Sequence, residues 1–270
     1  MRQRLLLSGL LIAFIRGFAA ADDGWIGYSG SPKLMASHPS VRMVSEVVRV
    51  TIHRQTADVV CDFVFRNAGS ACDVRMGFPD YSGNRMPGDA NKSVFMSFKS
   101  TVDGKRVDTT LEPAKAPEDA DFNAKGWNSA FQVKSVHFGK GQTRRVRDSY
   151  QVRLGTVAIH GEVPGKGEPA ERIFSYIFST GGSWHGSIGR AEMVITFADD
   201  APIGKGKLAL TKGPLDYDKL WEWRVKHPHA VGGAQSGFDP RGRTLRLLKK
   251  NWKPTKRDDV ELAVGMYYRK

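Results

Sequence analysis

Trp184 and His185 are the two side chains with recognition chemistry in a segment otherwise rich in small residues, among them Gly181, Gly182, Ser183, Gly186, Ser187 and Gly189. An indole at the tip of a glycine-rich turn can stack on a sugar ring or fill a partner's pocket, because a rigid aromatic buries much area at little entropic cost. It can equally fold back over the end of a β-sandwich. His185-Gly-Ser187-Ile-Gly189 departs from the Gly-x-Ser-x-Gly nucleophile elbow at its first glycine, and no helical pattern follows. Of seven histidines, only His227 and His229 stand close together. In an extended segment both rings would point to one side, as metal ligands do, but no third ligand is apparent. Asp119 with Asp121, Asp199-Asp200 and Asp258-Asp259 lack the spacing and glycine of a calcium loop and read as turn caps or solvated carboxylates. No His-Glu-x-x-His, phosphate loop or dinucleotide fingerprint occurs, so no cofactor is expected.

Cys61 and Cys72 are the only cysteines. The first shares parity with Val59, Phe63 and Phe65 and the second with Val74, Met76 and Phe78, which places each on the apolar face of its strand. A turn centred on Asn67-Ala-Gly69-Ser70 would set Cys72 opposite Phe65. A disulfide would then need a bulge or a shifted register to bring the Cα atoms within about 7 Å. A buried bridge and two buried thiols both stay open. A bridge here would be structural, since a redox motif needs closer spacing and an exposed thiolate.

The N-terminus carries Arg2 and Arg4, an apolar run from Leu5 to Ile15, and Ala19-Ala20-Ala21. This is the pattern of a signal peptide cleaved before Asp22; the run is shorter than the roughly 20 residues of a membrane-spanning helix. Residues 1–21 are therefore expected to leave, and no second run of spanning length follows. The net charge of +13 would fall to +10 with the loss of Arg2, Arg4 and Arg16. The remaining excess is spread along the chain, and runs such as Arg144-Arg145-Val-Arg147 and Lys249-Lys250 would either solvate a surface or meet an anionic polymer. Export argues against nucleic acid as that partner.

Chemistry-bearing residues at these places need strands to position them. Residues 22–40 read as an extended lead-in. From Val41 onward, short alternating segments are punctuated by turns, including Asn67-Ala-Gly69, Asp103-Gly104 and Gly139-Lys-Gly141. Phe174, Tyr176 and Phe178 share one parity ahead of the glycine-rich turn, and Met193 to Phe197 alternates after it, so 173–197 reads as strand, turn, strand with Trp184 at a hairpin tip. No stretch of more than ten residues keeps a helical period. The expected fold is all-β: two antiparallel β-sandwich domains, 41–160 and 170–270, joined by a linker at 161–169 that holds three glycines and two prolines.

Met43-Val-Ser-Glu46-Val-Val-Arg-Val50, Phe63-Val-Phe65-Arg-Asn67 and Gly77-Phe78-Pro79 resemble an uncharacterised family of exported bacterial proteins. Val102-Asp-Gly104-Lys, Thr180-Gly181 with Trp184, Gly186 and Ile188, and Trp252-Lys-Pro254 with Asp258-Asp259-Val260 fit the same pattern, so the resemblance spans most of the chain after residue 21. These are strand and turn signatures. The resemblance implies export and β architecture, and such families are known as domains of unknown function. Phe65-Arg-Asn67, Phe78-Pro79 and Asp103-Gly104-Lys105 are also similar to extracellular β-sandwich domains that precede adhesion modules.

The expected function is that of an exported non-catalytic module, periplasmic, cell-surface or secreted, that contacts an envelope protein or glycan. The alternatives are glycan binding through Trp184 and His185, and a metal-dependent hydrolase using His185 or His227 with His229.

Overall fold

The computed structural model describes residues 27–35, 38–82, 92–113, 128–158, 169–203, 208, 231 and 237–268. The expected signal peptide, most of the 161–169 linker, and the His227 and His229 pair lie outside the described residues.

Among the described residues sixteen strands follow in chain order: β1 (Gly27–Gly30), β2 (Lys33–Leu34), β3 (Val41–Ile52), β4 (Thr56–Asn67), β5 (Cys72–Ser82), β6 (Phe95–Val102), β7 (Lys105–Val107), β8 (Thr110–Pro113), β9 (Asn128–Phe138), β10 (Thr143–Arg153), β11 (Gly155–Ala158), β12 (Pro169–Ile177), β13 (Ile188–Phe197), β14 (Asp239–Arg241), β15 (Thr244–Trp252) and β16 (Val260–Tyr268). They build two eight-stranded sheets. The first runs β11-β12-β1-β5-β9-β8, with β16 also paired to β12 and β2 to β5; the second runs β14-β15-β13-β3-β4-β10-β6-β7.

The sequence dictates much of this locally. β4 alternates so that Ala57, Val59, Cys61, Phe63 and Phe65 are buried while Asp58 and Arg66 face water. Asp103 and Gly104 adopt positive φ of 49° and 80° and close the hairpin between β6 and β7, as an Asp-Gly turn should. Asn67 turns the chain from the second sheet into the first. Its buried amide oxygen accepts from Ser40 Oγ at 2.7 Å and Gly69 N at 2.9 Å, while its Nδ2 donates to the carbonyl oxygens of Ser70 at 2.6 Å and Gly139 at 3.2 Å.

The fold is all-β, as expected. The division into two sandwiches does not hold, because the expected boundary separates neither sheet. β13 lies parallel to β3 and antiparallel to β15, and β1 pairs with β12 in parallel. Phe63, Phe65 and Phe78 from the first half share one hydrophobic core with Phe174, Tyr176, Leu245 and Leu262 from the second. Either half alone would leave the β3 and β12 edges unpaired, so the halves interleave. The 173–197 segment is likewise not a hairpin: β12 belongs to the first sheet and β13 to the second, and the 3-10 turn Ser179–Ser183 carries the chain between them.

Candidate functional site

The turn after β12 clasps the segment that joins β1 to β2. Thr180 Oγ1 donates to Ser31 O at 2.5 Å, Leu34 N donates to Ser183 Oγ at 2.9 Å, and Ser31 N donates to Ile177 O at 2.8 Å. A Cβ on Gly182 would stand 2.7 Å from Pro254 O, so this approach demands glycine. Ser179 anchors the other flank, its N and Oγ donating to the Asp259 carboxylate at 2.7 and 2.9 Å.

Trp184 completes the clasp from inside. It is 2% exposed, its ring centroid lies 4.4 Å from that of Phe65, and its Nε1 donates to Pro32 O at 2.7 Å. No face of the indole is left for a sugar ring, which corrects its expected role as an exposed tip. The physical reason is that a tryptophan beside glycines folds back wherever a carbonyl acceptor and an apolar wall are both in reach.

His185, the next residue, is exposed, and its backbone N donates to Val41 O at 3.3 Å. It lines a depression of about 380 Å³ together with Arg42, Arg66, Ala68, Gly186 and Ser187. Arg42 on β3 stands directly opposite Arg66 on β4. Neither guanidinium has an ion pair or hydrogen bond among the described residues. Like charges at directly opposed positions repel, so the pair is destabilising unless an anion lies between them. Two adjacent forks of N–H donors are also the geometry that recognises phosphate or carboxylate.

A second polar cluster lies between the sheets. Glu46 is fully buried on β3; its Oε1 accepts from Ser31 Oγ at 2.6 Å and from Tyr176 OH at 2.8 Å, while its Oε2 has no partner. Burial pushes its carboxyl up to about 7, against the opposing pull of the hydrogen bonds from Ser31 and Tyr176. Cys61 Sγ lies 3.7 Å from Tyr176 OH, and Ser29 Oγ shares a short hydrogen bond with Tyr150 OH. Burial raises the Cys61 thiol and both tyrosine hydroxyls, so all three stay protonated. Lys134 Nζ reaches both oxygens of the buried Asp148, at 2.7 and 2.8 Å. A carboxyl that titrates near neutrality is suited to proton transfer. Glu46 is fully buried and does not line the depression beside His185, however, so this cluster reads as a fastening between sheets.

Both cysteines are free: Cys61 points into the core of the second sheet, and Cys72 opens β5 in the first. Of the two open readings, the structure has two thiols. Among the described residues no cluster of three histidine, cysteine or acidic side chains could hold a metal. No helix among them is long and apolar enough to cross a membrane. Sequence reasoning missed Arg42 with Arg66. Glu46 shares the parity of Val48, Val50 and Ile52, and a lone acid in such an apolar register was the available signal.

Among solved structures, the fold is similar to a Legionella pneumophila protein provisionally described as nutrient-binding, at a TM-score of 0.58 and 16% identity over 92% of this chain and 72% of that one. Weaker likenesses are to yeast LTA4 hydrolase, at a TM-score of 0.41 and 7% identity over 85% of this chain and 29% of that one. An M1 zinc metallopeptidase from Deinococcus radiodurans follows at 0.32 and 10% identity, over 84% of this chain and 43% of that one. At those scores neither enzyme bears on function. No curated protein matches. Residues 21–125 match the model of a domain of unknown function (DUF4424), an uncharacterised family, in keeping with the resemblance read from the strand and turn motifs.

Proposed function

We propose that the protein is an exported, non-catalytic binding module that holds an anionic group in the depression beside His185. The observation that carries this reading is the cross-strand pair Arg42 and Arg66, exposed and without a carboxylate partner among the described residues. A bound phosphate or carboxylate would turn their mutual repulsion into two charge-assisted, bidentate contacts. His185 and Ser187, on the same wall, add further donors. The signal-like N-terminus and the likeness in fold to a protein provisionally described as nutrient-binding support export and a binding role.

Retention of the protein on envelope fractions, compared at low and high salt with the Arg42→Ala/Arg66→Ala variant, tests the reading. Salt-sensitive retention that the variant loses supports it. Retention by the variant equal to that of the unsubstituted protein contradicts it.

A further inference from the structure

The cations beside the depression form a track. On the outer face of the second sheet, one register row crosses five strands through Lys250 on β15, Arg190 on β13, Ser45 on β3, Val64 on β4 and Arg145 on β10. All three cations are exposed, and Arg42 and Arg66 stand beside this row at the near ends of β3 and β4. With strands about 4.8 Å apart, the row from Lys250 to Arg145 extends over roughly 19 Å.

The acids on this face are fewer than its cations, and each is already engaged. Asp62 takes Arg49 at 2.7 Å and Arg147 at 2.6 Å, and Glu192 takes Arg190 at 2.6 Å and Arg246 at 2.8 Å. Asp103, near Arg145, accepts from the Arg144 side chain and from the Arg145 backbone N–H. Neither Lys250 nor the Arg145 guanidinium has an ion pair among the described residues. Asp62, Glu192 and Asp103 are thus each shared between two arginines, Asp103 feeling the charge of both Arg144 and Arg145, so positive charge stays in excess along the row and beside its middle, over a length that one phosphate or carboxylate cannot bridge.

We propose that the ligand is a linear polyanion, a polymer with closely repeated phosphate or carboxylate charges, laid across these five strands with one charge seated between Arg42 and Arg66. This rests on the reading of that pair as an anion site. The half-buried Val47 and Val64, which face outward between the cations, give the polymer backbone an apolar floor.

The test compares long-chain inorganic polyphosphate, poly-L-glutamate and pyrophosphate, titrated into the protein, the Arg145→Ala/Lys250→Ala variant and the Arg42→Ala/Arg66→Ala variant. All four side chains are exposed, and thermal melts check that the variants stay folded. The proposal expects at least one polymer to bind at least tenfold more tightly than pyrophosphate, and the more tightly held polymer identifies the source of charge. Arg145→Ala/Lys250→Ala should weaken the polymer at least fivefold while leaving pyrophosphate unchanged, and should lower the slope of log affinity against log salt by about 1.4, roughly 0.7 for each lost contact. Neither polymer bound at least tenfold more tightly than pyrophosphate, or polymer affinity unmoved by Arg145→Ala/Lys250→Ala, overturns the polyanion while leaving the Arg42 and Arg66 site intact. If no anion binds, both readings fall.

Discussion

Tyr176 of the first sheet donates its hydroxyl to Glu46 of the second across 2.8 Å, and Ser31, from the segment that joins β1 to β2, donates to the same carboxylate oxygen at 2.6 Å. One buried acid therefore ties together three parts of the chain that are far apart in sequence.

That acid makes stability depend on pH. The folded state raises Glu46 from about 4.5 to about 7, so between those values the native protein holds a proton that the unfolded chain has released. Its contribution is complete below about 4.5 and is lost as pH rises through about 7. A difference of this size corresponds to a change on the order of 3 kcal/mol. Glu46→Gln keeps an oxygen acceptor for Ser31 and Tyr176 but does not ionise. Urea unfolding at pH 5 and pH 8 should show the variant gaining stability relative to the unsubstituted protein at the higher pH; curves that stay parallel would contradict this.

Trp184→Ala should cost about 3–5 kcal/mol, because it removes a large buried side chain. Trp184→Phe should cost less, but it leaves the Pro32 carbonyl without its donor, a loss of about 1–3 kcal/mol. Denaturant midpoints read both values. An unchanged midpoint combined with lost ligand retention would return Trp184 to a recognition role.

Lys134 and Asp148, each almost wholly buried, can be separated only at the expense of an uncompensated charge. Lys134→Met alone should destabilise by about 3–5 kcal/mol, while Lys134→Met with Asp148→Leu should recover much of that loss. Additive losses in the double variant would show that the two side chains are not coupled.

The two thiols should differ in reactivity. Cys61 is buried and its thiol is pushed up by burial, whereas Cys72 is only half-buried. An aromatic disulfide reagent should modify Cys72 in the native protein and both residues after unfolding without reductant. If no thiol reacts in the unfolded, unreduced chain, the cysteines are bridged.

Individual strands were legible because burial follows parity, as β4 shows, and because turn chemistry marks their ends, as Asp103-Gly104 shows. Even so, alternation does not run unbroken along β3: a bulge between Met43 and Ser45 turns Val44 outward and puts Met43 in the core. Sheet membership was not legible. Parity says which side of a strand is buried but not which strand lies alongside, so β12 and β13 read as one hairpin although they belong to different sheets. The pairing of Arg42 with Arg66 was hidden for the same reason, since it exists only once the register of β3 against β4 is set. Trp184 was misread because its glycine neighbours mark close packing as readily as an exposed turn.

The most direct test of the central claim is calorimetric titration of pyrophosphate into the protein and into the Arg42→Ala/Arg66→Ala variant at low salt. Saturable binding that the variant loses, with its melting temperature unchanged or raised by relief of the like-charge contact, is the predicted result. Absence of binding to the unsubstituted protein, or equal binding by both, would contradict the assignment of this depression as an anion site.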